Sequence, residues 1–146
     1  MEKKEFTITI DAPKETVWQV LWNDGSYRKW TAVFSEGSRA ETDWKTGSKV
    51  LFLDAKNAGM VSVVAENRPN EYMSFKHLGF VKDGVEDLES EAVKKWAGAT
   101  ENYTLRSSNG STELIVDMQI TKEYMDYFSE IWPKALQLVK ELAEKN

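Results

Sequence analysis

The spacing of apolar residues changes at residue 121, where an alternating pattern gives way to a longer period. Over residues 121–145 apolar side chains recur at intervals of three and four, the period of an amphipathic α-helix with one broad buried face. The centre of that face is predicted to contain Tyr124, Phe128, Ile131, Ala135, Leu138 and Leu142, and it is widened by Met125, Trp132, Leu136, Val139 and Ala143. We therefore predict one long helix, with Leu138 and Leu142 buried against a sheet.

Pro133 falls on the polar side of this helix. Because proline has no N–H to donate to the carbonyl of Ser129, we expect a bend in a continuous helix at this point. The alternative is that Pro133 begins a new helix and residues 123–132 form a separate one.

The preceding part of the chain has the alternating period of β-strands. One face of a first strand is predicted to carry Phe6, Ile8 and Ile10, and one face of the final strand Leu114, Val116, Met118 and Ile120. Further strands are predicted at residues 39–44 (a polar edge strand), 49–54, 60–66, 72–78 and 102–106. Short turns separate these strands, which indicates an antiparallel meander.

Two short helices are predicted between the first and second strands. Pro13 suits a first helical turn, and the apolar side of the first helix consists of Val17, Trp18, Leu21 and Trp22. Residues 23–26 interrupt this helix, and residues 26–30 are predicted to form a second short helical turn.

Residues 79–97 interrupt the regular strands and carry the carboxylates of Asp83, Glu86, Asp87, Glu89 and Glu91. Clustered carboxylates are typical of calcium sites, but this spacing does not match a calcium-binding loop, and solvated loops often collect acids. We therefore favour a solvated segment without a metal ion. Within it, Ser90 is expected to cap a short helix that reaches Trp96.

Composition narrows the classes of function. The chain has 146 residues and no repeat or linker, so a single domain over residues 1–146 is expected. The formal net charge is −5 with no basic patch, which argues against nucleic acids and anionic membranes as partners. The absence of cysteine excludes disulfides, zinc–thiolate sites and thiol nucleophiles. No apolar run reaches membrane-spanning length and no apolar signal region is found, so a cytoplasmic location is expected.

The chain contains six tryptophans: Trp18, Trp22, Trp30, Trp44, Trp96 and Trp132. Packing in the core is the simplest role for such large rings, and lining a pocket for an apolar ligand is the alternative. Trp22 and Trp44 are also candidates for the entrance to such a pocket.

Three stretches of the sequence resemble one protein superfamily. Residues 8–18 are similar to the opening of the START-like, or Bet v 1-like (SRPBCC), superfamily, and residues 44–52 and 132–142 resemble its branch related to the activator of Hsp90 ATPase. The same branch has counterparts of Gly59, Val63, Pro69 and Glu71. The resemblance implies an α+β helix-grip fold, in which a curved antiparallel sheet is combined with two short N-terminal helices and a long C-terminal helix.

The same resemblance implies a cavity between the long helix and the sheet, opening near the short helices. It would place Met125, Phe128 and Trp132 above Phe52, Phe75, His77, Tyr103 and Met118. These are the candidate ligand-binding residues, with aromatic rings as walls and His77 as a polar anchor. The alternative is that the bulky side chains fill the space, because protein interiors pack densely when they can.

The reactive groups of the sequence do not favour an enzyme. His77 is the only histidine, and no metal-ligand spacing, phosphate-binding glycine loop or nucleophile elbow is found. We predict a domain that binds a small apolar or amphipathic molecule without a cofactor. A protein-interaction domain of the co-chaperone type, with a chaperone as partner, is the first alternative, and a cyclase-like enzyme with a shaped pocket is the less favoured one. An exposed apolar patch would favour a protein partner, and an enclosed pocket would favour a small ligand.

Overall fold

The computed structural model describes residues 1–145, which form a sheet, two short helices that follow its first strand, and one long helix. In chain order the elements are β1 (Glu2–Ile10), α1 (Lys14–Trp22), α2 (Asp24–Thr31), β2 (Arg39–Glu41), β3 (Lys49–Leu53), β4 (Ala58–Arg68), β5 (Tyr72–Lys82), β6 (Val85–Asp87), α3 (Glu91–Lys94), β7 (Thr100–Ser108), β8 (Ser111–Ile120), a 3-10 turn (Lys122–Tyr124) and α4 (Met125–Glu144). This order confirms the predicted α+β helix-grip fold.

The sheet is antiparallel, with strand order β1-β8-β7-β5-β4-β3-β2, and β6 pairs with β5 beside this path. The predicted meander is confirmed, because neighbouring strands in space are mostly neighbours in sequence. The polar edge strand is also confirmed, although β2 is shorter than the predicted residues 39–44. The long-range exception is β1, which pairs with β8 and thereby joins an early segment of the chain to a late one.

The alternating residues of β8 face the core as predicted. Its buried side chains include Leu114, Val116, Met118 and Ile120. Phe6 of β1 pairs with Val116 and is buried, as is Ile10, whereas Ile8 between them is half-buried. The inward faces of β1 and β8 therefore form one continuous floor for α4.

Helix α4 runs through Pro133 without interruption, so the prediction of a continuous helix is confirmed and the two-helix alternative is wrong. Pro133 itself is exposed, as its place on the polar side predicted. A proline on the polar side of a helix leaves its missing hydrogen bond away from the core.

The buried face of α4 differs from the prediction. Its buried residues are Trp132, Ala135, Leu136, Val139 and Ala143. Leu138 and Leu142 are only half-buried, and Tyr124 is exposed. The apolar residues of α4 cover more of its surface than the sheet contacts. The centre of the buried face is rotated about the helix axis from the predicted centre, by somewhat less than the angle of about 100° between successive residues. The expectation that Leu138 and Leu142 are buried is therefore wrong.

The segment predicted to be irregular contains more structure than expected. Strand β5 continues to Lys82 and turns through Asp83 and Gly84, both at positive φ, into β6. Ser90 caps α3 as predicted, because its Oγ accepts a hydrogen bond from the backbone N–H of Val93 at 3.3 Å. The helix ends at Lys94, before Trp96.

Candidate functional site

A cavity of about 450 Å³ lies between the concave face of the sheet, α2 and the first half of α4. Most of its lining is aromatic or aliphatic. The lining residues are Tyr27, Trp30, Thr31, Phe34, Ser38, Phe52, Met60, His77, Phe80, Trp96, Ala99, Thr100, Glu101, Tyr103, Met118, Gln119, Ile120, Thr121, Tyr124, Tyr127, Phe128 and Trp132. This volume lies within the range of small-molecule pockets, which is about 300–1,000 Å³.

Trp132 anchors α4 at the inner end of the cavity. Its ring is stacked with Phe6 at a centroid distance of 6.0 Å and meets Phe34 edge-on at 4.9 Å. Trp30 lies 6.2 Å from Trp132, and its indole Nε1 donates to the carbonyl of Leu21 at 3.2 Å. Because the one polar atom of Trp30 is satisfied by the backbone, the ring contributes an apolar wall of fixed orientation.

A β-bulge in β5 sets the far wall. His77 pairs with Ser62 and Gly79 pairs with Val61, so Leu78 is an extra residue on β5. An extra residue reverses the alternation of side chains along a strand. Phe80 consequently faces the cavity, as His77 does, and completes a row across the sheet with Met60 and Phe52.

A hydrogen-bonded cluster interrupts the apolar wall. The carboxylate of Glu101 accepts from the hydroxyl of Tyr103 at Oε2, and its Oε1 lies 3.1 Å from Nε2 of His77. Because a carboxylate oxygen only accepts, Nε2 is the protonated ring nitrogen in this arrangement. Nδ1 of His77 lies 2.6 Å from Oγ of Ser62, which is fully buried. Both nitrogens of the ring are thus engaged, and the imidazole is held in one orientation.

The charge of Glu101 acts on two buried tyrosines. Burial raises the pKa of Tyr103 well above its ordinary value, and the negative charge of Glu101 and the hydrogen bond to it raise it further. Burial, and after it the charge of Glu101, also raises the pKa of Tyr27 on α2. Both phenols consequently keep their protons in the folded protein over the neutral and mildly alkaline range, and Tyr103 remains a hydrogen-bond donor.

The most exposed lining residues mark the mouth of the cavity. Phe80, Tyr124 and Tyr127 have exposed fractions of 43%, 53% and 47%. Trp96 packs edge-on against Phe80 with a centroid distance of 4.8 Å, and Tyr127 donates to the carbonyl of Phe34 at 3.3 Å. The mouth therefore lies between the start of α4 and the β5–β6 hairpin, with aromatic rings on both sides.

Six of the candidate residues lie together around this cavity: Phe52, His77, Tyr103, Met118, Phe128 and Trp132. The structure places Phe75 and Met125 elsewhere. Phe75 is fully buried beneath the lining and touches Trp22 and Phe52 edge-on at 5.5 and 5.2 Å, and Met125 is half-buried against the core. Trp22 and Trp44, the candidates for the entrance, instead pack on each other in the interior at 5.0 Å. These rings fill the part of the interior that the cavity does not occupy.

Glu101 is a site residue that the sequence prediction missed. The predicted strand began at Asn102, whereas β7 begins at Thr100 and its alternation brings Glu101 and Tyr103 to the same face. Extending the alternation backwards from Tyr103 and Leu105 would have revealed this carboxylate. Tyr27 and Phe34 were also missed, because a short helix and the loop after it carry too few residues to define an inward face.

The arrangement offers a concave, mainly apolar surface with a hydrogen-bonding carboxylate, an imidazole and a phenol in its wall. Within residues 1–145, no three His, Asp or Glu side chains are positioned to hold a metal ion together. Over the same residues, no helix has both the length and the hydropathy needed to cross a bilayer.

Solved structures of other proteins share this architecture at low sequence identity. Protein MLL2253 from Mesorhizobium loti has a TM-score of 0.76 at 12% identity, with 99% of this chain and 98% of that chain covered. The Aha1 dimer from Colwellia psychrerythraea has a TM-score of 0.72 at 18% identity, with 99% and 97% covered. DynU16, a protein of the dynemicin biosynthetic locus, has a TM-score of 0.74 at 14% identity, with 99% of this chain but 48% of that chain covered.

Among curated proteins, none matches the sequence of this chain. The solved structures show the shared fold, and the family comparison is more specific. Residues 11–144 match the family described as "Activator of Hsp90 ATPase homolog 1-like protein". That match includes α1, α2, strands β2 to β8 and α4, and it agrees with the resemblance found in the sequence. The chain therefore belongs to the Activator of Hsp90 ATPase homolog 1-like protein family.

Proposed function

We propose that this protein binds a small, largely apolar molecule in the cavity between α4 and the sheet. The observation that carries the proposal is a cavity of about 450 Å³ whose mainly apolar wall contains one hydrogen-bonded polar cluster. An apolar enclosure with a few positioned polar groups is the usual form of a small-molecule site. The apolar body of the ligand would contact Phe128, Trp132 and Phe52, and its polar group would lie near Glu101 and Tyr103. The cytoplasm stays the predicted location.

DynU16, which shares the fold, is described as a protein in the dynemicin biosynthetic locus, and a biosynthetic role is consistent with this proposal. The polar cluster supports it more directly. Placing a carboxylate, an imidazole and a phenol in the wall of an apolar cavity has a free-energy cost, which their mutual hydrogen bonds help to offset. A polar group of the ligand would use the hydrogen-bonding capacity that remains.

The proposal is tested with N-phenyl-1-naphthylamine, a neutral probe whose fluorescence rises in apolar sites. The expected result is a saturable increase in fluorescence and a higher melting temperature. At a hundred times its dissociation constant, a ligand stabilises the folded state by about 2.7 kcal/mol. Phe128→Ala removes an aromatic wall and should weaken binding, whereas Tyr72→Ala truncates an aromatic ring outside the cavity and should not. Native mass spectrometry of the purified protein would show any ligand that co-purifies.

A flat response to this probe and to a broad panel of apolar compounds, in a protein shown to be folded, would refute the proposal. Equal weakening by Phe128→Ala and Tyr72→Ala would place the binding site outside the cavity.

A protein partner is the second candidate, because exposed apolar side chains border the mouth. Phe80, Val85 and Leu88 are exposed on and just after the β5–β6 hairpin, and Tyr124 and Tyr127 are exposed at the start of α4. The family description names an activator of Hsp90 ATPase, so a chaperone of that type is the partner to test. Stimulation of a purified Hsp90 ATPase that is lost in Val85→Asp would favour this candidate. No stimulation is expected if the protein serves only as a small-molecule carrier.

A further inference from the structure

The charged groups of the cavity wall have one sign. Glu101 is the only acidic residue among the described lining residues, and none of them is lysine or arginine. His77 is the only other ionisable group of the wall besides the tyrosines, and it donates a hydrogen bond to Glu101. The wall therefore carries one carboxylate and no lysine or arginine that could bind an anionic ligand.

Glu101 also has unused hydrogen-bonding capacity. A carboxylate has about four acceptor positions. The described hydrogen bonds of Glu101 use one on each oxygen, from the imidazole of His77 and the hydroxyl of Tyr103. The side chain is 18% exposed and Glu101 lines the cavity, so part of this side chain can be reached by a ligand. A ligand group that donates N–H bonds would complete the coordination of this carboxylate.

Several aromatic rings line the same cavity as Glu101. Tyr103, whose hydroxyl binds Glu101, lies 6.1 Å from Trp132 between ring centroids, and Trp132 lies 6.2 Å from Trp30. Tyr27 lies 5.5 Å from Trp30 on the α2 side. The faces of aromatic rings attract cations electrostatically, and the attraction is stronger where water is excluded. A carboxylate beside several aromatic rings is a combination suited to an organic cation.

We infer that the cavity selects an amine, and this inference rests on the proposed function. The ligand would have an apolar or aromatic body and one protonated nitrogen, and its ammonium group would bind at Glu101. The carboxylate would compensate the charge of the ammonium, which would otherwise be costly to remove from water. A carboxylate or phosphate ligand would meet the like charge of Glu101 with no lysine or arginine in the lining.

One feature of the mouth acts in the opposite direction. The start of α4 and the 3-10 turn before it lie at the mouth, and a helix N-terminus favours anions. Acidic residues occupy the first turns there, since Glu123 lies in the 3-10 turn and Asp126 in the first turn of α4, against one lysine, Lys122. These carboxylates counter the positive end of the helix, so the charges at the mouth do not oppose the entry of a cation.

The inference is tested with three probes of nearly equal shape: 2-(1-naphthyl)ethylamine, 2-(1-naphthyl)ethanol and 1-naphthylacetic acid. Their dissociation constants are measured by calorimetry at neutral pH and at two ionic strengths. We expect the amine to bind about tenfold more tightly than the alcohol, and the acid to bind more weakly than the alcohol. Equal affinities for the amine and the alcohol, or tighter binding of the acid, would overturn the inference.

Two variants locate the charge effect. Glu101→Gln keeps the shape of the side chain and should remove the preference for the amine while the alcohol still binds. Glu113→Gln makes the same change of charge on β8 outside the cavity, and it should retain the preference. If Glu101→Gln does not fold, Thr100→Lys supplies a cation to the wall and should reverse the order of the amine and the acid. If Glu101→Gln folds and still prefers the amine over the alcohol, the inference is overturned. The same holds if Thr100→Lys is used instead and still binds the amine more tightly than the acid.

The same probes distinguish a failure of the amine inference from a failure of the proposed function. If the alcohol and N-phenyl-1-naphthylamine bind but the amine has no advantage, the cavity binds apolar molecules and the amine inference alone fails. If none of the probes binds the folded protein, the proposed function fails as well.

Discussion

The packing of α4 gives a sharp test of the fold, because two leucines two positions apart differ in burial. Leu136 is 2% exposed and lies in the main core cluster, whereas Leu138 is half-buried at its margin. Leu136→Ala removes three carbons, and at about 0.8 kcal/mol per buried methylene the transfer term is about 2.4 kcal/mol. The cavity left behind adds to this loss, and measured Leu→Ala changes at buried sites reach about 5 kcal/mol.

We therefore expect Leu136→Ala to lower the free energy of unfolding by about 3–4 kcal/mol. Leu138→Ala should cost about 1–2 kcal/mol, because part of its side chain is already in water and surrounding solvent fills the space. For a domain of this size, each kcal/mol corresponds to a fall in melting temperature of roughly 2–4 °C. Gln137→Ala, at the exposed position between the two leucines, is the control and should change stability by less than about 0.5 kcal/mol.

The measurement is equilibrium unfolding in urea, followed by tryptophan fluorescence and by far-ultraviolet circular dichroism. If the two probes give the same midpoint, the two-state treatment holds and the differences are free energies. A larger loss for Leu138→Ala than for Leu136→Ala would show that α4 is rotated relative to the structure. The buried face would then be the one predicted from the sequence.

Two further predictions concern pH and backbone packing. Because the pKa values of Tyr27 and Tyr103 are raised in the folded protein, their contribution to stability is complete below about pH 10 and is lost as the pH rises above it. Urea unfolding at a series of alkaline pH values should show this loss, and Tyr103→Phe should make it less steep; an unchanged slope would contradict the assignment. Gly59→Ala should destabilise the fold strongly, because a Cβ there would overlap the backbone carbonyl of Phe52 on β3. Gly25→Ala in α2, where nothing lies within 4 Å of an added Cβ, should be neutral or slightly stabilising, and equal thermal melting of the two variants would contradict this packing.

Much of the fold was predictable because its periods are long and regular. The alternation of β8 identified its inward face from Leu114 to Ile120, and the period of α4 continued through Pro133. The rotation of α4 was not predictable from the same pattern. Its apolar residues cover more of the helix surface than the sheet contacts, so the choice among them depends on the shape of the floor that β1 and β8 provide.

The cavity wall was predictable only in part, for a different reason. Phe52, Tyr103 and Met118 lie on regular strands, where the side-chain face follows from parity. Phe80 lies beyond the bulge at Leu78, which reverses the alternation of side chains, and the neighbouring Gly79 is only a weak sequence signal for it. Glu101 was hard to predict for another reason, because an acidic residue at the start of a strand is normally expected to face solvent. Tyr103 lies two residues away on the same strand, but His77 of β5 becomes a partner of Glu101 only in the folded sheet.

The pairing of β1 with β8 has a consequence for how the protein is made. Residues 2–10 are synthesised about a hundred residues before their partner strand, residues 111–120. The link continues beyond the sheet, because the backbone N–H of Asp11 donates to Glu144 and the amine of Lys140 to the carbonyl of Thr9. Such non-local contacts slow folding, since a long loop must close before they form. β1 therefore lacks its partner until β8 has been synthesised, and α4, which follows β8, can close over the cavity only after that.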